Sequence, residues 1–480
     1  MDDSGDEERG SEAGDGGDAT GPAGAGRASA EGVAAAVKRR ALINWNIVES
    51  SFDESEFLWA RRLFLLHSHR HDLDGVALWA EERLLGALDG VELAGGRCIK
   101  SILEPALTSG QPERIACAAL IACQLGTPRA RAFIARAVDS FVGQELSAIA
   151  LGLTLANTLD LEPLASVLSS GSPVQQAELL RVFAARRCDP GTVLVELAGS
   201  SDARVRAMAI ECAVAARSGE ASSLAQRGLG DSDPVVVAHA AQAGLVCGQP
   251  DAWAVCRSAL GSPDVVAAWG RVLPLVAASG AADSLELLGA RAEGALRRDA
   301  LYALGYAGSR AAAELALAHM NGKKAALAHV AAESFATITG LGVEARGFWR
   351  AEPDPAAIAF EDDDLGADLG PAPDAALPLA NMGEVETWWQ AHASRFEGSQ
   401  RYLDGQPVSV TSLFAYLQNG RGRRRHGIAA ELAVRSGGAL QLATTAWVHV
   451  QRQELAAARG FDPGRVARAP FAGWRVLPTA

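Results

Sequence analysis

The sequence predicts an all-α protein whose main part is an α-solenoid of stacked helical hairpins. One helical phrase recurs five times between positions 202 and 340, at a spacing of about 30 residues. In its first copy, Val205, Ala209 and Cys212 follow the spacing that places apolar groups on one helical stripe. Hydrophobic residues reach 49% while aromatic residues reach only 6%, as closely stacked, alanine-rich helices require. Because one hairpin cannot bury its own stripe, neighbouring hairpins must supply the core.

The five phrases share predicted helix boundaries as well as periodicity. Four of them open with Asp, Pro or Glu, which suit a helix N-terminus, and all five carry Gly within their last two residues. A second, shorter apolar segment follows most of them, so the predicted unit is a helical hairpin. The five phrases are DARVRAMAIECAVAARSG, DPVVVAHAAQAGLVCGQ, PDVVAAWGRVLPLVAASG, EGALRRDALYALGYAGS and KKAALAHVAAESFATITGL.

The pattern of small residues in these phrases resembles that of HEAT-like repeats, in which helices approach each other closely. Weaker copies precede position 202 at similar intervals, so the predicted solenoid covers residues 111–340. These copies are PERIACAALIACQLG, QELSAIALGLTLANT and SPVQQAELLRVFAARR.

Two segments flank the solenoid on its N-terminal side. Residues 1–32 hold nine acids and two arginines without bulky apolar groups, which predicts a disordered acidic tail. This tail is either a solubilising leader or an acidic docking segment. Residues 33–110 are helical without the repeat phrase and are predicted to form an N-terminal helical cap, with Asp53 and Glu56 as a capping arrangement.

The repeating helical pattern ends at position 340. Residues 351–380 hold eight acids, no base and several prolines and glycines, which predicts an acidic linker. The net charge of −13 therefore belongs to the tail and the linker, and the folded part is nearly neutral. Residues 381–480 are predicted to form a C-terminal helical module that folds back on the solenoid, with a tight turn at Asp404.

Composition and motifs exclude several classes of protein. The chain contains no phosphate-binding loop, zinc-protease helix, nucleophile elbow or dinucleotide fingerprint, and we expect no catalytic residue and no cofactor. It shows no secretory signal and no apolar run long enough to cross a bilayer. The seven cysteines form no C-x-x-C pair and suit small buried groups in a reducing compartment. We therefore expect a cytoplasmic protein; its oligomeric state is left open.

The first candidate contact site is the basic run Arg421, Arg423, Arg424 and Arg425. Residues 381–480 hold twelve bases and seven acids, so this run lies in a locally basic region. It could bind an acidic partner, grip nucleic-acid phosphates, pair with the acidic linker in an autoinhibited state, or be a solvated helix start. The nearly neutral repeat array argues against nucleic acid.

Two further motifs could contact another domain, a partner or a metal ion. Trp388 and Trp389 cannot share one helix face, so we expect one in the core and the other at an interdomain or partner contact. His67, His69 and His71 alternate in HSHRHDLD and could present imidazoles to one metal ion. The alternative for the histidines is a polar loop between two helices, and we predict no metal.

Several segments together resemble a family of uncharacterised bacterial HEAT-repeat proteins from proteobacteria, including myxobacteria, that are sometimes encoded near type VI secretion genes. The resemblance implies a domain layout and supplies no catalytic residue. The segments that carry it are FLWARRLFLLHS, EERLLGALDGV, AAESFATITG, WWQAHASRF, RYLDGQP and RRRHGIAAELAV.

The sequence supports three hypotheses about function. The first is a non-enzymatic scaffold that binds a protein or peptide and is accessory to a type VI secretion system. The second is a helical-repeat enzyme or a small-molecule binder similar to bilin lyases; the His-Glu motifs of deoxyhypusine hydroxylase and the basic face of alkylpurine DNA glycosylases are missing. The third is nucleic-acid binding through the C-terminal basic run.

Overall fold

The computed structural model describes residues 43–157, 161–322, 324–342, 345, 347–350, 377, 379–398 and 400–480. The predicted acidic tail and residues 351–376 of the predicted linker lie outside this part of the chain. Residues Trp45–Ala480 form one compact unit. Within the described ranges, no helix combines the length and the apolar character needed to cross a membrane.

The N-terminal cap is built from one long helix and an irregular second helix that packs against it. The expected helix start at Asp53 is wrong, because the first helix begins eight residues earlier, at Trp45. The carboxylates of Asp53 and Glu56 instead both accept hydrogen bonds from Arg114, at 2.8 and 2.7 Å. The cap helices are α1 Trp45–Leu66, α2 Leu73–Val76, a π-helical turn Ala77–Glu81, α3 Glu82–Glu92, a 3₁₀ turn Gly95–Arg97, a π-helical turn Ile99–Leu103 and α4 Glu104–Ala106.

The array that follows is the predicted all-α solenoid. The first helix of each hairpin packs on the first helix of the next, except in the third phrase, where the 3₁₀ segment Ala267–Val272 makes this contact. These first helices form the inner layer: α5 Pro112–Leu125, α7 Gly143–Leu155, α9 Pro173–Ala185, α11 Ala203–Ala215, α13 Pro234–Val246, α15 Leu273–Ser279, α17 Arg297–Ala307 and α19 Ala325–Thr339. The second helices form the outer layer: α6 Pro128–Ser140, α8 Glu162–Ser170, α10 Val193–Leu197, α12 Ala221–Gly228, α14 Pro250–Gly261, α16 Ser284–Arg291 and α18 Arg310–His319.

The predicted repeat boundaries hold with one local exception. Asp202 caps α11 by accepting hydrogen bonds from the backbone N–H groups of Arg204 and Val205, at 2.9 and 3.3 Å. In the third phrase, by contrast, a 3₁₀ segment Ala267–Val272 precedes a short α15. Pro274 sits in the first turn of α15, where its missing N–H breaks the α-helical ladder.

The C-terminal module folds back on the array, as the sequence predicts. Strand β1 pairs with β2 in antiparallel fashion, and β3 pairs with β4. Because β2 lies within residues 351–380, the linker ends earlier than expected. The elements are β1 Trp349–Arg350, β2 Leu379–Ala380, α20 Met382–His392, a 3₁₀ turn Ala393–Arg395, β3 Tyr402–Leu403, β4 Gln406–Pro407, α21 Val410–Asn419, α22 Gly422–Arg435, α23 Val448–Ala458 and α24 Pro463–Ala467.

The module lies along the C-terminal ends of the inner helices and donates hydrogen bonds to them. A helix leaves its last carbonyl groups without partners in the same helix. Groups of the module satisfy such carbonyls at the ends of α7, α11, α15, α17 and α19. The pairs are Trp447 Nε1 to Leu155 O (2.8 Å), Gln441 Nε2 to Val214 O (2.9 Å), Arg475 N to Ser279 O (2.7 Å), Tyr402 N to Gly308 O (2.8 Å) and Gly405 N to Ile338 O (3.0 Å).

The tip of the β3–β4 hairpin contacts the C-terminal end of α19, the last inner helix. Asp404 and Gly405 form the predicted tight turn, and both have a positive φ, as the favoured two-residue hairpin turn requires. Gly340, which ends α19, also has a positive φ of 74°. A Cβ on Gly340 would lie 2.7 Å from the carbonyl oxygen of Asp404. The two turns therefore touch through their backbones.

We expect Gly340→Ala to destabilise the protein more than Gly95→Ala. Both glycines have a positive φ, but a Cβ on Gly95 meets nothing within 4 Å. The control should cost about 1 kcal/mol for the left-handed backbone alone, and Gly340→Ala should cost roughly 3 kcal/mol through the added clash. Chemical denaturation of both variants measures the difference. Equal losses would mean that the hairpin tip does not need this close contact.

Candidate functional site

The Arg-rich run begins α22, and one of its guanidiniums is buried against the end of the array. Arg424 is 1% exposed. Its Nε and Nη2 donate to the two carboxylate oxygens of Glu333 at 2.9 and 2.7 Å, and Nη2 also donates to Ser334 Oγ at 2.8 Å. Its guanidinium carbon lies 4.0 Å from the ring centroid of Tyr302. Burial alone would lower the pKa of Arg424, but the Glu333 carboxylate outweighs burial and the pKa is raised.

Two glycines bring α22 against α17 closely enough for this pairing. A Cβ on Gly305 would lie 2.5 Å from Arg424 Nη1, and one on Gly427 would lie 2.4 Å from Cζ of Tyr306. The Tyr306 hydroxyl donates to the carbonyl oxygen of Arg424 at 3.1 Å, and the Tyr302 hydroxyl donates to that of the preceding residue at 2.7 Å. The two tyrosines therefore contact both the Arg424 guanidinium and the backbone of the first turn of α22.

The neighbouring arginines are buried as well, which corrects the expectation of an exposed basic run. Arg425 donates from Nε to Leu417 O at 2.7 Å and from Nη2 to Gln451 Oε1 at 2.8 Å. Arg423 Nε lies 3.6 Å from Glu333 Oε1. These guanidiniums serve contacts within the fold: Arg423 faces Glu333 of the array, and Arg425 binds groups of the module itself. A nucleic-acid phosphate would have to displace those contacts.

The tandem tryptophans divide between core and interdomain contact, as predicted. Trp389 is buried, and its ring lies 5.4 Å from that of Phe335 and 5.3 Å from that of Phe396. Trp388 is partly exposed, stacks on His392 at 4.5 Å and approaches Phe335 at 6.4 Å. Because Phe335 belongs to α19, both tryptophans join the module to the array. Partner binding through Trp388 stays a prediction.

The three alternating histidines have separate surroundings. His67 is exposed with its ring 5.2 Å from that of His426, whereas His69 is buried. The carbonyl oxygen of His71 accepts a hydrogen bond from the backbone N–H of Gly422 at 2.8 Å. No group of three or more His, Cys, Asp or Glu side chains in the described chain is arranged to hold a metal ion. The alternative of a shared metal site at these histidines is therefore not supported.

A cavity of about 330 Å³ lies where the histidine loop, the end of α19 and the α21–α22 turn meet. It joins segments that lie far apart in the sequence. We call it the junction cavity. Its lining residues are His69, Glu333, Ala336, Thr337, Gly340, Gly342, Ala345, Asp404, Tyr416, Arg421 and Arg424.

Burial shifts the pKa values of two residues that line the junction cavity. It lowers the pKa of His69 to about 4; nearby Glu333 opposes this shift, whereas Arg70, Arg421 and Arg423 add to it. His69 is therefore neutral at pH 7. Burial likewise raises the pKa of Tyr416, so its hydroxyl keeps its proton.

Two other buried charge clusters fix the module. The Glu431 carboxylate is fully buried and accepts hydrogen bonds from Arg401 Nη1 and Nη2 at 2.7 and 2.9 Å, and from Arg435 Nε at 2.8 Å. Burial alone would raise the pKa of Glu431, but the two guanidiniums lower it overall. In the cap, Arg62 Nε donates to Glu81 Oε1 at 2.7 Å. Arg62 also donates to carbonyl groups of the loop before α23, at 2.8 and 2.9 Å.

No sequence pattern singled out Glu333, Tyr302, Tyr306 or Tyr416 as site residues. One signal could have found Glu333: it is the only acid in the fifteen residues of α19, which contain no Lys or Arg. A lone acid in an otherwise apolar helix is costly to bury without a counter-charge. The tyrosines offered no comparable signal, because their spacing also suits ordinary core positions.

Comparison of the chain with protein-family models gives no match, and comparison with curated proteins gives none either. The geometry of the described residues must therefore support any functional proposal.

We expect Glu333→Gln to lower the stability of the protein by about 3–5 kcal/mol, because it leaves the buried Arg424 charge uncompensated. Glu314→Gln is the matched control. Glu314 pairs with Arg310 at 2.9 Å, but both side chains are nearly half exposed, and the expected loss is under about 1 kcal/mol. Urea denaturation compares the two. Similar small losses would show that the buried pair does not hold the module.

We also expect the titration of His69 to make stability depend on pH. Its folded pKa of about 4 lies below the ordinary value of 6.5, so the folded state binds fewer protons between these values. The contribution of the neutral ring is complete above pH 6.5 and is lost as pH falls towards 4. Thermal melts at pH 7.5 and pH 4.5 should differ less for His69→Asn than for the wild type. The exposed-histidine variant His449→Asn is the control, and an unchanged difference in His69→Asn contradicts the prediction.

Proposed function

We propose that the protein is a non-enzymatic helical-repeat scaffold that binds an amphipathic helix of a protein partner through the exposed face of its N-terminal cap. The observation that carries this proposal is a set of large apolar side chains exposed on the cap. Phe57 is 59% exposed, Phe64 40%, Leu78 57% and Trp79 51%. Such side chains are costly to leave in water when they are grouped on one surface.

The geometry supports a continuous surface across the two cap helices. Phe57 and Phe64 lie two turns apart on the same face of α1. Arg83 of α3 donates to Glu54 of α1 at 2.6 Å, which joins the two helices beside this face. Trp79 lies one turn before Arg83 and therefore on the same side. We call this surface the cap face.

The physics of helical arrays favours a helix as the occupant of the cap face. A terminal repeat normally presents a polar outer side, because nothing stacks on it. The cap face instead offers apolar groups at helical spacing, flanked by the exposed side chains of Glu54 and Arg61. An amphipathic helix with apolar anchors at the same spacing and charges of both signs at its edges would complete the stack.

The junction cavity supports the non-enzymatic part of the proposal. Both carboxylate oxygens of Glu333 are bound by Arg424, and Nε2 of His69 accepts a hydrogen bond from Arg70 at 3.2 Å. The two groups best suited to act as a general base are thus engaged. The resemblance to bacterial HEAT-repeat proteins adds the finer proposal that the partner belongs to a type VI secretion system.

We expect the double variant Phe57→Ser/Phe64→Ser to weaken partner binding at least tenfold with a small effect on the thermal midpoint. The partner is identified by photo-crosslinking from position 57 in cells, purified and titrated against both forms. Val142→Ser is the matched control, because Val142 is 61% exposed and lies in the turn between α6 and α7. It should bind like the wild type.

Three results would overturn the proposal. A crosslink to a second copy of this chain would make the cap face a self-association surface. An adduct with this chain's own residues 1–42 would make it an internal contact. Equal binding of the purified partner to the wild type and the double variant would place the partner elsewhere. A partner unrelated to secretion would remove only the finer proposal.

A further inference from the structure

A second cavity lies where the C-terminal ends of α9 and α11 meet the loop before α23 and the end of α23. Its volume of about 410 Å³ is within the range for small-molecule sites. Two arginines of the array, Arg187 and Arg217, line it on one side, and the module lines it on the other. We call it the arginine cavity.

The two arginines occupy backbone positions that favour glycine. Arg187 and Arg217 have φ values of 53° and 54°, and each lies two residues after the end of its inner helix. After α5, α13, α15, α17 and α19, the residue with a positive φ is instead a glycine. Because the left-handed backbone is unfavourable for arginine, its retention at both ends that line the cavity indicates a role for the side chains.

The charge of Arg187 is neutralised within the fold. Its Nη1 lies 2.9 Å from Glu454 Oε1, and its Nη2 donates to the carbonyl oxygen of Gln441. The other carboxylate oxygen of Glu454 accepts a hydrogen bond from the backbone N–H of Ala443 at 2.8 Å. Arg187 and Glu454 therefore hold α23 against the end of α9 and leave no charge for a ligand.

Arg217 keeps its charge available. Its Nη2 donates to the carbonyl oxygen of Ala439 at 2.9 Å, and among the described residues it has no carboxylate partner. The residue is exposed. The cavity thus contains two guanidiniums and one carboxylate, and the excess of one positive charge is complementary to a monoanion.

The wall that the module contributes is largely apolar. Leu442 and Phe461 are partly exposed, and Ala457 and Ala458 extend this wall along α23. An apolar body in the cavity would remove these side chains from water. A ligand that combines one negative charge with an apolar body therefore matches both sides of the cavity.

The cavity offers few acceptors to the amide groups of a peptide. The carbonyl oxygens of Ala439 and Gln441 accept from the two arginines, and both carboxylate oxygens of Glu454 are engaged. A peptide terminus would leave N–H groups without partners in this site, which is costly. This arrangement favours an organic acid without amide groups.

We propose that the arginine cavity binds a small monocarboxylate with an apolar body the size of an aromatic ring, whose carboxylate pairs with Arg217 and whose body lies against Leu442 and Phe461. This ligand site is independent of the cap face and adds a small-molecule function to the scaffold. Because the site joins the end of α11 to the module, bound ligand also stabilises the docked module.

Isothermal titration calorimetry of the full chain at pH 7.5 and low salt tests this proposal with 3-phenylpropionate as the probe. It should bind at least tenfold more tightly than 3-phenylpropanamide, which has the same body without the charge. It should also raise the thermal midpoint of the protein. N-acetyl-alanyl-phenylalanine with a free C-terminus forms the peptide arm and should bind more weakly; tighter binding of this peptide would overturn the assignment to a small molecule.

Arg217→Gly should weaken binding of 3-phenylpropionate at least tenfold, because it removes the unpaired cation. The midpoint of the ligand-free protein should change little, since glycine relieves the left-handed backbone while the hydrogen bond to Ala439 is lost. Arg227→Ala is the matched control: Arg227 is exposed on α12 of the same hairpin, outside the cavity, and its loss should leave the affinity unchanged. A lower midpoint with unchanged affinity in Arg217→Gly would show that Arg217 only docks the module.

A second pair of variants places a carboxylate inside and outside the cavity. Ala457 lines the cavity and Ala456 does not, although both are exposed on α23. Ala457→Glu should weaken binding at least tenfold by competing for Arg217, and Ala456→Glu should bind like the wild type.

The proposal is overturned if 3-phenylpropionate does not bind at millimolar concentration, if its amide binds equally well, or if the two glutamate variants bind it alike. Equal binding of inorganic phosphate would overturn the monocarboxylate assignment.

Discussion

The carbonyl groups at the C-terminal ends of the inner helices are the constraint on which the arrangement of this protein depends. Each inner helix presents such groups on the same side of the array, together with the negative end of its dipole. The C-terminal module supplies N–H donors to five of these helix ends. Two arginine side chains of the module donate to further carbonyl groups of the array, Arg401 to Ala278 O in α15 and Arg424 to Tyr302 O in α17.

Buried ion pairs then fix where the module sits. Removing a carboxylate and a guanidinium from water is costly, so pairs such as Arg424–Glu333 contribute little net stability compared with an apolar contact. A shifted docking position, however, would leave both charges buried and unpaired. A shifted position would likewise leave the buried charges around Glu431 and Glu81 unpaired. Together they favour one position of the module over its alternatives.

The sequence contains enough information for the array because its signals are local. Asp202 and Asp233 mark helix starts, and the apolar spacing marks the stripe that neighbours bury. Pro274 locally overrides that periodicity. The site could not be predicted in the same way, because a run of arginines has one local pattern whether it faces solvent or a carboxylate. Its surroundings depend on Glu333, which lies 91 residues earlier in the chain. The junction cavity likewise combines His69 with Tyr416, which lie far apart in the sequence.

The pairing of β1 with β2 has a topological consequence. Trp349 and Arg350 lie opposite Ala380 and Leu379, so the chain leaves the array and returns to it at one point. The two ends of the acidic segment between them are therefore adjacent in space. Its length can change at a low entropic cost, since loop closure depends only weakly on length. Array and module are therefore held together by their interface and not by covalent continuity, and gene fusions or splits at this point would preserve their mutual position.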